Sequence, residues 1–311
     1  MTDRRLRIDH ATKRYPRAAE DAISDVTIDV VPGKVCCVIG RNGAGKSTLM
    51  SAIAGLTRLS SGDVLLDGSS LAESFELRRR VGFAAQAEAL YPLLSGRENL
   101  ETFGRLGGLT RSALQERISD LAERLSIGSF LDQSVRELSG GERRRVHVAA
   151  ALMSDVDVVM LDEPTAGVDP VTRSNVLDLV SSLTEAGRMV LYSTHYLHEV
   201  EELDGAVVML EQGRVVASGS VASLLARHGS SFVEMEFATR IDTAHLPWVS
   251  NWDDLTLRLS VHQPSEELPR ILQRLETDTV HLRSMAVVEP TLDRVFRSLT
   301  GLDLQPGEPT S

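Results

Sequence analysis

Cysteine and lysine are both nearly missing from this 311-residue chain. The two cysteines, Cys36 and Cys37, stand side by side in the apolar run VCCVI. Neighbouring strand residues point to opposite faces, so the pair does not form a metal-ligand set and reads as two small buried hydrophobes. Lysine occurs only at Lys13, Lys34 and Lys46, and arginine carries almost all the other positive charge. Long hydrophobic runs are missing too, and nothing approaches the ~18–20 apolar residues that a membrane-spanning helix needs. The opening MTDRRLRID turns charged at once and lacks the apolar core of a secretory signal. Positive charge is in deficit: 44 acidic residues face 33 basic ones, for a formal charge of −11. That removes the electrostatic footprint that usually announces nucleic-acid binding. The expectation is a soluble, cytoplasmic globular protein with no nucleic-acid partner. Its length suits one large domain, or a large and a small one.

What is present begins with GRNGAGKST at residues 40–48, a match to G-x-x-x-x-G-K-[ST]. The buried-strand pattern VCCVI precedes it, and an apolar helical pattern (Leu49, Ile53, Leu56) follows. Glycines let backbone N–H groups turn inward around phosphates, at a helix N-terminus that itself favours anions. Gly40, Arg41, Asn42, Gly43, Ala44, Gly45, Lys46, Ser47 and Thr48 are therefore candidates for holding a nucleoside triphosphate. Lys46 would reach the β- and γ-phosphates, and the Ser47 hydroxyl would ligate Mg2+.

Three further strand patterns end in polar groups, where open α/β sheets collect their ligands. VDVVML (156–161) is followed by Asp162 and Glu163, two carboxylates that are costly after an apolar strand unless they have partners. Asp162 would bind Mg2+, directly or through water, and Glu163 would act as general base on an attacking water. RMVLYSTH (188–195) ends in His195, within reach of a γ-phosphate if its strand joins the same sheet. VGFAAQ (81–86) ends in Gln86, whose amide would contact Mg2+ or the water.

Residues 138–145, LSGGERRR, are odd on their own terms. Ser139 and Glu142 form a capping box, the start of a helix, yet two glycines occupy its first turn at about 1 kcal/mol each relative to alanine. Glycine there permits close approach to the backbone, which would make a second anion cradle beside Ser139, Gly140 and Gly141. The arginines at 143–145 read as a solvated helix face.

In order and approximate spacing this set resembles the ATP-binding subunit of ABC transporters. GRNGAGKST is similar to its Walker A loop, VVMLDEP to Walker B, LSGGE to its signature, Gln86 to the Q-loop glutamine and His195 to the switch histidine. The resemblance covers residues 1 to about 228. It implies an α/β P-loop cassette, with a mixed sheet, an N-terminal antiparallel β-region and a helical subdomain over about 87–155. It also implies a head-to-tail homodimer with ATP and Mg2+, each ATP held between one chain's Walker A loop and the other's Ser139, Gly140 and Gly141. Asp169, in GVD, resembles the residue that crosses the dimer seam, and Tyr15 the aromatic that stacks on adenine. The motion would pass to a separate membrane permease touching residues 86–100, placing the chain at the inner face of the cell membrane.

Around these motifs, LRIDHATKRYP, DVTIDVVPG and VLLDG read as antiparallel strands. Residues 87–155 read as mainly helical, with capping boxes at Ser95–Glu98 and Ser112–Gln115 and an apolar face of Leu114, Ile118, Leu121 and Leu125. The pattern breaks near RHGSS (227–231), which sets a boundary at 228. Residues 229–301 read as a small α+β domain and 302–311 as a flexible tail. EPTLDRVFRSLTG resembles the C-terminal segment of daunorubicin-resistance-like efflux cassettes and favours export of a drug-like or lipophilic compound. The competing classes are a non-transport ABC ATPase on nucleic acid or ribosomes, and a nucleotide-dependent regulator. Neither a long coiled coil nor a second cassette is present to favour the former.

Overall fold

The structure, a computed structural model, describes residues 4–229, 231–239, 249–253, 255–261, 264–275 and 281–301. Contacts divide the chain into two compact units, the first running to Val221 and the second beginning at Ala222. The sequence boundary at 228 falls later, because helix α8 (Val221–His228) packs with the second unit. The proposed tail, 302–311, lies outside the described residues.

The first unit holds two sheets. One is antiparallel in the order β2-β1-β4-β5, built from β1 (Leu6–Lys13), β2 (Ile23–Val30), β4 (Ser61–Leu66) and β5 (Ser69–Ser70). The other runs β10-β9-β3-β8-β7-β6. In it β3 (Lys34–Ile39), β6 (Val81–Ala84), β7 (Val158–Asp162), β8 (Met189–Thr194) and β9 (Ala206–Glu211) are parallel. β10 (Arg214–Ser220) closes one edge antiparallel to β9. β7 and β8 are buried at every residue, and β3 at every residue but Lys34. Such strands are covered on both faces, which is why they read as continuous apolar runs rather than alternating ones. Leu6, Ile28, Leu49, Ile53, Met160 and Leu191 belong to one buried cluster that joins the two sheets through helix α1 (Lys46–Ile53). Each fully buried side chain of this kind contributes about 1.5–3 kcal/mol.

The remaining helices of this unit are α2 (Phe75–Arg78), α3 (Gly96–Leu106), α4 (Arg111–Arg124), α5 (Gly140–Ala151), α6 (Pro170–Glu185) and α7 (Leu197–Leu203). Helix α3 opens on the Ser95–Glu98 capping box read from the sequence. Helix α4 corrects the second box: its N-cap is Thr110, whose hydroxyl accepts the Ala113 N–H, and Ser112 lies inside the first turn. Both residues are cap formers, and starting at Thr110 adds two helical residues before Ala113 while leaving the face of Leu114, Ile118 and Leu121 buried.

In the second unit, β11 (Ser231–Phe237), β12 (Val249–Asp253), β13 (Thr256–Val261) and β14 (Leu282–Val288) form an antiparallel sheet ordered β12-β13-β11-β14. Helices α9 (Pro264–Leu275) and α10 (Leu292–Thr300) complete it. Val233, Met235, Phe237, Leu257 and Leu259 pack with Ile271 and Leu275 of α9 as its core.

Candidate nucleotide site

The strand order β3-β8-β7-β6 places four carboxyl ends side by side, and every polar group singled out on those strands belongs to that edge. After β3 the chain turns through 40–45 into α1. Gly45 has φ +105°, and a Cβ there would come within 2.6 Å of the Ala22 carbonyl oxygen, so no other residue fits this turn without displacing it. Lys46, 4% exposed, donates to the carbonyls of Gly40 at 2.8 Å and Arg41 at 3.3 Å, and meets Glu163 Oε1 at 3.0 Å.

Glu163 follows β7 with φ +47°, a left-handed conformation that costs a non-glycine residue about 1 kcal/mol or more. Its N–H is pinned to Ser193, donating to Oγ at 2.9 Å and to the carbonyl at 3.1 Å. His195, just past β8, brings Nδ1 to 3.6 Å from Glu163 Oε2, long for a hydrogen bond. Gln86 Nε2 lies 3.4 Å from the same oxygen. The polar contact with His195 and then the charge of Lys46, opposed by burial, hold the Glu163 carboxyl at about 2.

A cleft of 310 Å³ opens here, walled by Arg41, Asn42, Gly43 and Gly45 through Thr48, and by Gln86, Glu163 and His195. Gly40 and Ala44 lie outside its wall, Gly40 serving through the carbonyl that holds Lys46. Asp162, 1% exposed, sits behind the wall with Oδ1 accepting the Ser193 hydroxyl. Tyr15 is 41% exposed, with its hydroxyl 3.5 Å from Thr48 Oγ1 and the Lys13 ammonium 5.0 Å from its ring centroid. The cleft can take a polyphosphate against backbone N–H groups and one ammonium. Ser47, Gln86 and Asp162 offer only hard side-chain oxygens, which suits Mg2+, an ion that keeps several waters and takes few protein ligands. Among the described residues no cluster of three or more His, Cys, Asp or Glu side chains competes as a metal site.

Ser139, Gly140, Gly141 and Asp169 do not line this cleft. Ser139 caps α5 in the box foreseen, with Glu142 Oε2 accepting its N–H at 2.8 Å. A Cβ on Gly140 would meet nothing closer than Arg143 Nη2 at 3.9 Å, so packing within this chain leaves room for a side chain that the sequence omits. Asp169 caps α6, accepting the Thr172 hydroxyl at 2.7 Å and N–H at 2.9 Å, contacts that hold its carboxyl below the usual range.

Arg144 overturns the reading of 143–145 as a solvated face. It is 5% exposed, and its guanidinium donates to the carbonyls of Ala85, Gln86, Asp162, Glu163 and Pro164 at 2.5–3.1 Å. One side chain thus ties the Gln86 segment to the Glu163 segment. A clue lay downstream: Val146, Val148, Ala149 and Ala150 are apolar all round the helix, so its second half is buried on every face and the turn before it borders the core. Arg145 stacks on Phe130 with 4.9 Å to the ring centroid, and Arg143 meets Glu88 at 3.0 Å. A second polar network also escaped notice. Fully buried Glu199 accepts from Tyr192 and Thr194, at 2.9 and 2.7 Å, and faces Arg173 at 3.3 Å. It anchors the end of β8 from which His195 projects.

A groove of 210 Å³ on the first unit is lined by Val81, Phe83, Ala89, Phe103, His147 and Ala150 among others. His147 is 3% exposed and its Nδ1 has no partner. Burial, with the charge of Arg144, lowers its imidazole to about 4 from 6.5. The unfolded chain therefore takes up this proton at higher pH than the folded one, and stability falls as pH drops from 6.5 to about 4. Wild type is expected to lose up to about 3 kcal/mol across that window from this group, and His147→Leu to lose correspondingly less. Urea midpoints at pH 7, 5.5 and 4 for the two proteins measure the difference.

A family model described as ABC transporter matches residues 23–166. The daunorubicin resistance ATP-binding protein DrrA3 of Streptomyces coeruleorubidus is 34% identical, over 97% of this chain and 98% of its own. The linearmycin resistance ATP-binding protein LnrL of Bacillus subtilis is 30% identical, over 96% and 99%. Among solved structures, the ATP binding subunit of an ABC transporter superposes with a TM-score of 0.65 at 28% identity, covering 70% of this chain and 91% of that one. The strand-end site, the LSGGE helix and these likenesses agree, and the chain belongs to the ABC transporter family as one of its ATP-hydrolysing nucleotide-binding subunits.

Proposed function

We propose that two copies of this chain close head to tail around ATP and Mg2+, and that the cycle drives a separate permease exporting a lipophilic, drug-like compound. The observation that carries the export reading is the extent of the match: a daunorubicin resistance protein aligns over 97% of the chain, C-terminal unit included. In this reading residues 40–48 bind the phosphates, and Ser47 and Gln86 hold Mg2+ with Asp162 behind them. Glu163 takes the proton of the attacking water, His195 contacts the γ-phosphate and Tyr15 stacks on adenine. Ser139, Gly140, Gly141 and Asp169 serve the site of the other copy. Mg2+, when bound there, would supply neutralisation of phosphate charge.

Among the described residues no helix is long and apolar enough to cross a membrane. The path in this proposal belongs to the permease, and the chain works at the cytoplasmic face through it. The loop after Gln86 leaves Tyr91 50% and Leu93 77% exposed, close in sequence to Ala89 of the 210 Å³ groove. Exposed apolar groups beside a concave surface suit a short permease helix. The test is co-expression with a candidate multi-span permease, followed by drug uptake into inside-out vesicles. ATP-dependent uptake is expected with wild type. Leu93→Asp is expected to abolish uptake and permease-stimulated ATPase while ATP still binds. Export by the permease without this chain, or unchanged uptake with Leu93→Asp, would overturn the respective part.

A further inference from the structure

Strand β14 ends the sheet of the second unit, and among the described residues no strand pairs with its outer edge. Its register with β11 sets Met285 opposite Met235 and Val287 opposite Val233. Met235 and Val233 are fully buried core residues, whereas Met285 and Val287 are 38% and 44% exposed. Opposed residues share a face, so the apolar row of the core face continues onto β14 and is left uncovered there. The register is unbroken from Ser284 to Val288, after a shift beside Arg283, and those five residues, SMAVV, carry no charge and no proline. A charge, a proline or a bulge normally guards an edge strand, and here Arg283 and the shift guard only its first residues, leaving the following five as a template for another strand.

We infer that two copies of this chain pair through β14, antiparallel about a two-fold axis at Ala286. The strand's own sequence selects this occupant and this register. An axis perpendicular to the sheet keeps core face beside core face, which requires opposed residues to be an even number apart. Centred on Ala286, Met285 meets Val287 of the second copy and Ser284 meets its Val288. Arg283 then meets Glu289 of the second copy at both ends. Arg283, at the register shift, and Glu289, one residue past the end of β14, are both exposed and flank the five in-register residues at either end. Centring on Met285 would put Arg283 against Val287, and centring on Val287 would put Glu289 against Met285. Only the Ala286 register pairs the cation with the anion, and it also sets the small residue at the axis. The pairing joins two four-stranded sheets into one and covers the exposed ledge of each. It does not rest on the head-to-tail ATP dimer, which uses residues of the first unit.

Cysteine cross-linking of the full-length chain tests the pairing directly. The native thiols, Cys36 and Cys37, are buried and give a silent background. Residues opposed across an antiparallel pair have Cα atoms about 4.5–5.5 Å apart, within disulfide range. Ala286→Cys is therefore expected to form a disulfide dimer with copper phenanthroline, with or without ATP, and also when Ser139→Arg blocks the nucleotide-driven dimer. Ser284→Cys is equally exposed, yet its self-distance along the strands would be about 13 Å, so it is expected not to cross-link to itself. It is expected to cross-link to Val288→Cys when the two proteins are mixed. Arg283→Glu in the Ala286→Cys chain opposes like charges, which should slow cross-linking about tenfold, and adding Glu289→Arg should restore it. The pairing is overturned if Ala286→Cys cross-links no faster than Ser284→Cys, if the double reversal fails to rescue, or if in cells Ala286→Cys joins only a different protein. Cross-linking that survives Ser139→Arg leaves the ATP-dimer reading to be judged separately.

Discussion

Glu163→Gln is expected to bind ATP, lose hydrolysis by about 10²–10⁴-fold, the contribution of a general base, and accumulate as an ATP-bound dimer. The resting geometry looks unfavourable for such a base. The carboxylate lies between Lys46 at 3.0 Å and His195 at 3.6 Å and is held at about 2, far too weak to take a proton from water. Both partners, however, are groups that a γ-phosphate would claim. Once Lys46 and His195 turn to phosphate oxygens, the influences that lower the carboxyl are diverted. Burial, which acts the other way, then raises it toward a useful range. The same nucleotide that brings the water would thus switch on its base. Glutamine keeps the shape and the contact with Gln86 but cannot take the proton, so binding and closure should survive while turnover does not. Single-turnover hydrolysis and gel filtration with ATP measure the two halves. Steady-state ATPase within about threefold of wild type, far less than loss of a base allows, would exclude Glu163 from this role.

The parallel strands and their polar ends were legible because burial on both faces writes a continuous apolar run, and a run that stops at Asp-Glu or Ser-Thr-His stops at a site. The capping boxes at Ser95 and Ser139 were legible because they are local, four residues long and reciprocal. Thr110 was not, because two cap-forming residues stand two apart and only the packed helix decides between them. Arg144 was hidden by its neighbours: in the string RRR the three side chains look alike, and only the third dimension sends one to five carbonyls of the site, one across Phe130 and one to Glu88. Glu199 was hidden for a related reason, since a carboxylate in LHEVEEL reads as surface until Tyr192, Thr194 and Arg173 are seen around it. β12, VSNWD, alternates too little to declare itself without its partner β13. In each case the missing information was a contact between segments distant in sequence.

The second large effect concerns what one chain cannot do for itself. Lys46→Ala removes the ammonium that lines the phosphate cleft, and Ser139→Arg fills the space above the α5 N-terminus. Each protein alone is expected to show almost no turnover. Mixed, they should recover activity. In a mixed dimer one composite site carries both defects, and the other joins the intact Lys46 of one chain to the intact Ser139 of its partner. With random pairing half the dimers are mixed, so about one quarter of the wild-type sites are intact, and activity near that level is expected if sites act independently. The geometry gives the physical reason. The Ser139 hydroxyl accepts the Glu142 N–H, which leaves its own proton free to donate. Gly140 keeps open a space that nothing in its own chain fills, and the α5 N-terminus presents unpaired N–H groups and a positive dipole end. These are donors aimed at an anion, yet the cleft that holds Lys46 is walled without them. An ATP titration of dimer formation in the equimolar mixture reads the rescue independently of hydrolysis. If the mixture is no better than the sum of its two components, the second cradle does not serve a second chain, and the two-glycine helix start at 140–141 loses its physical explanation.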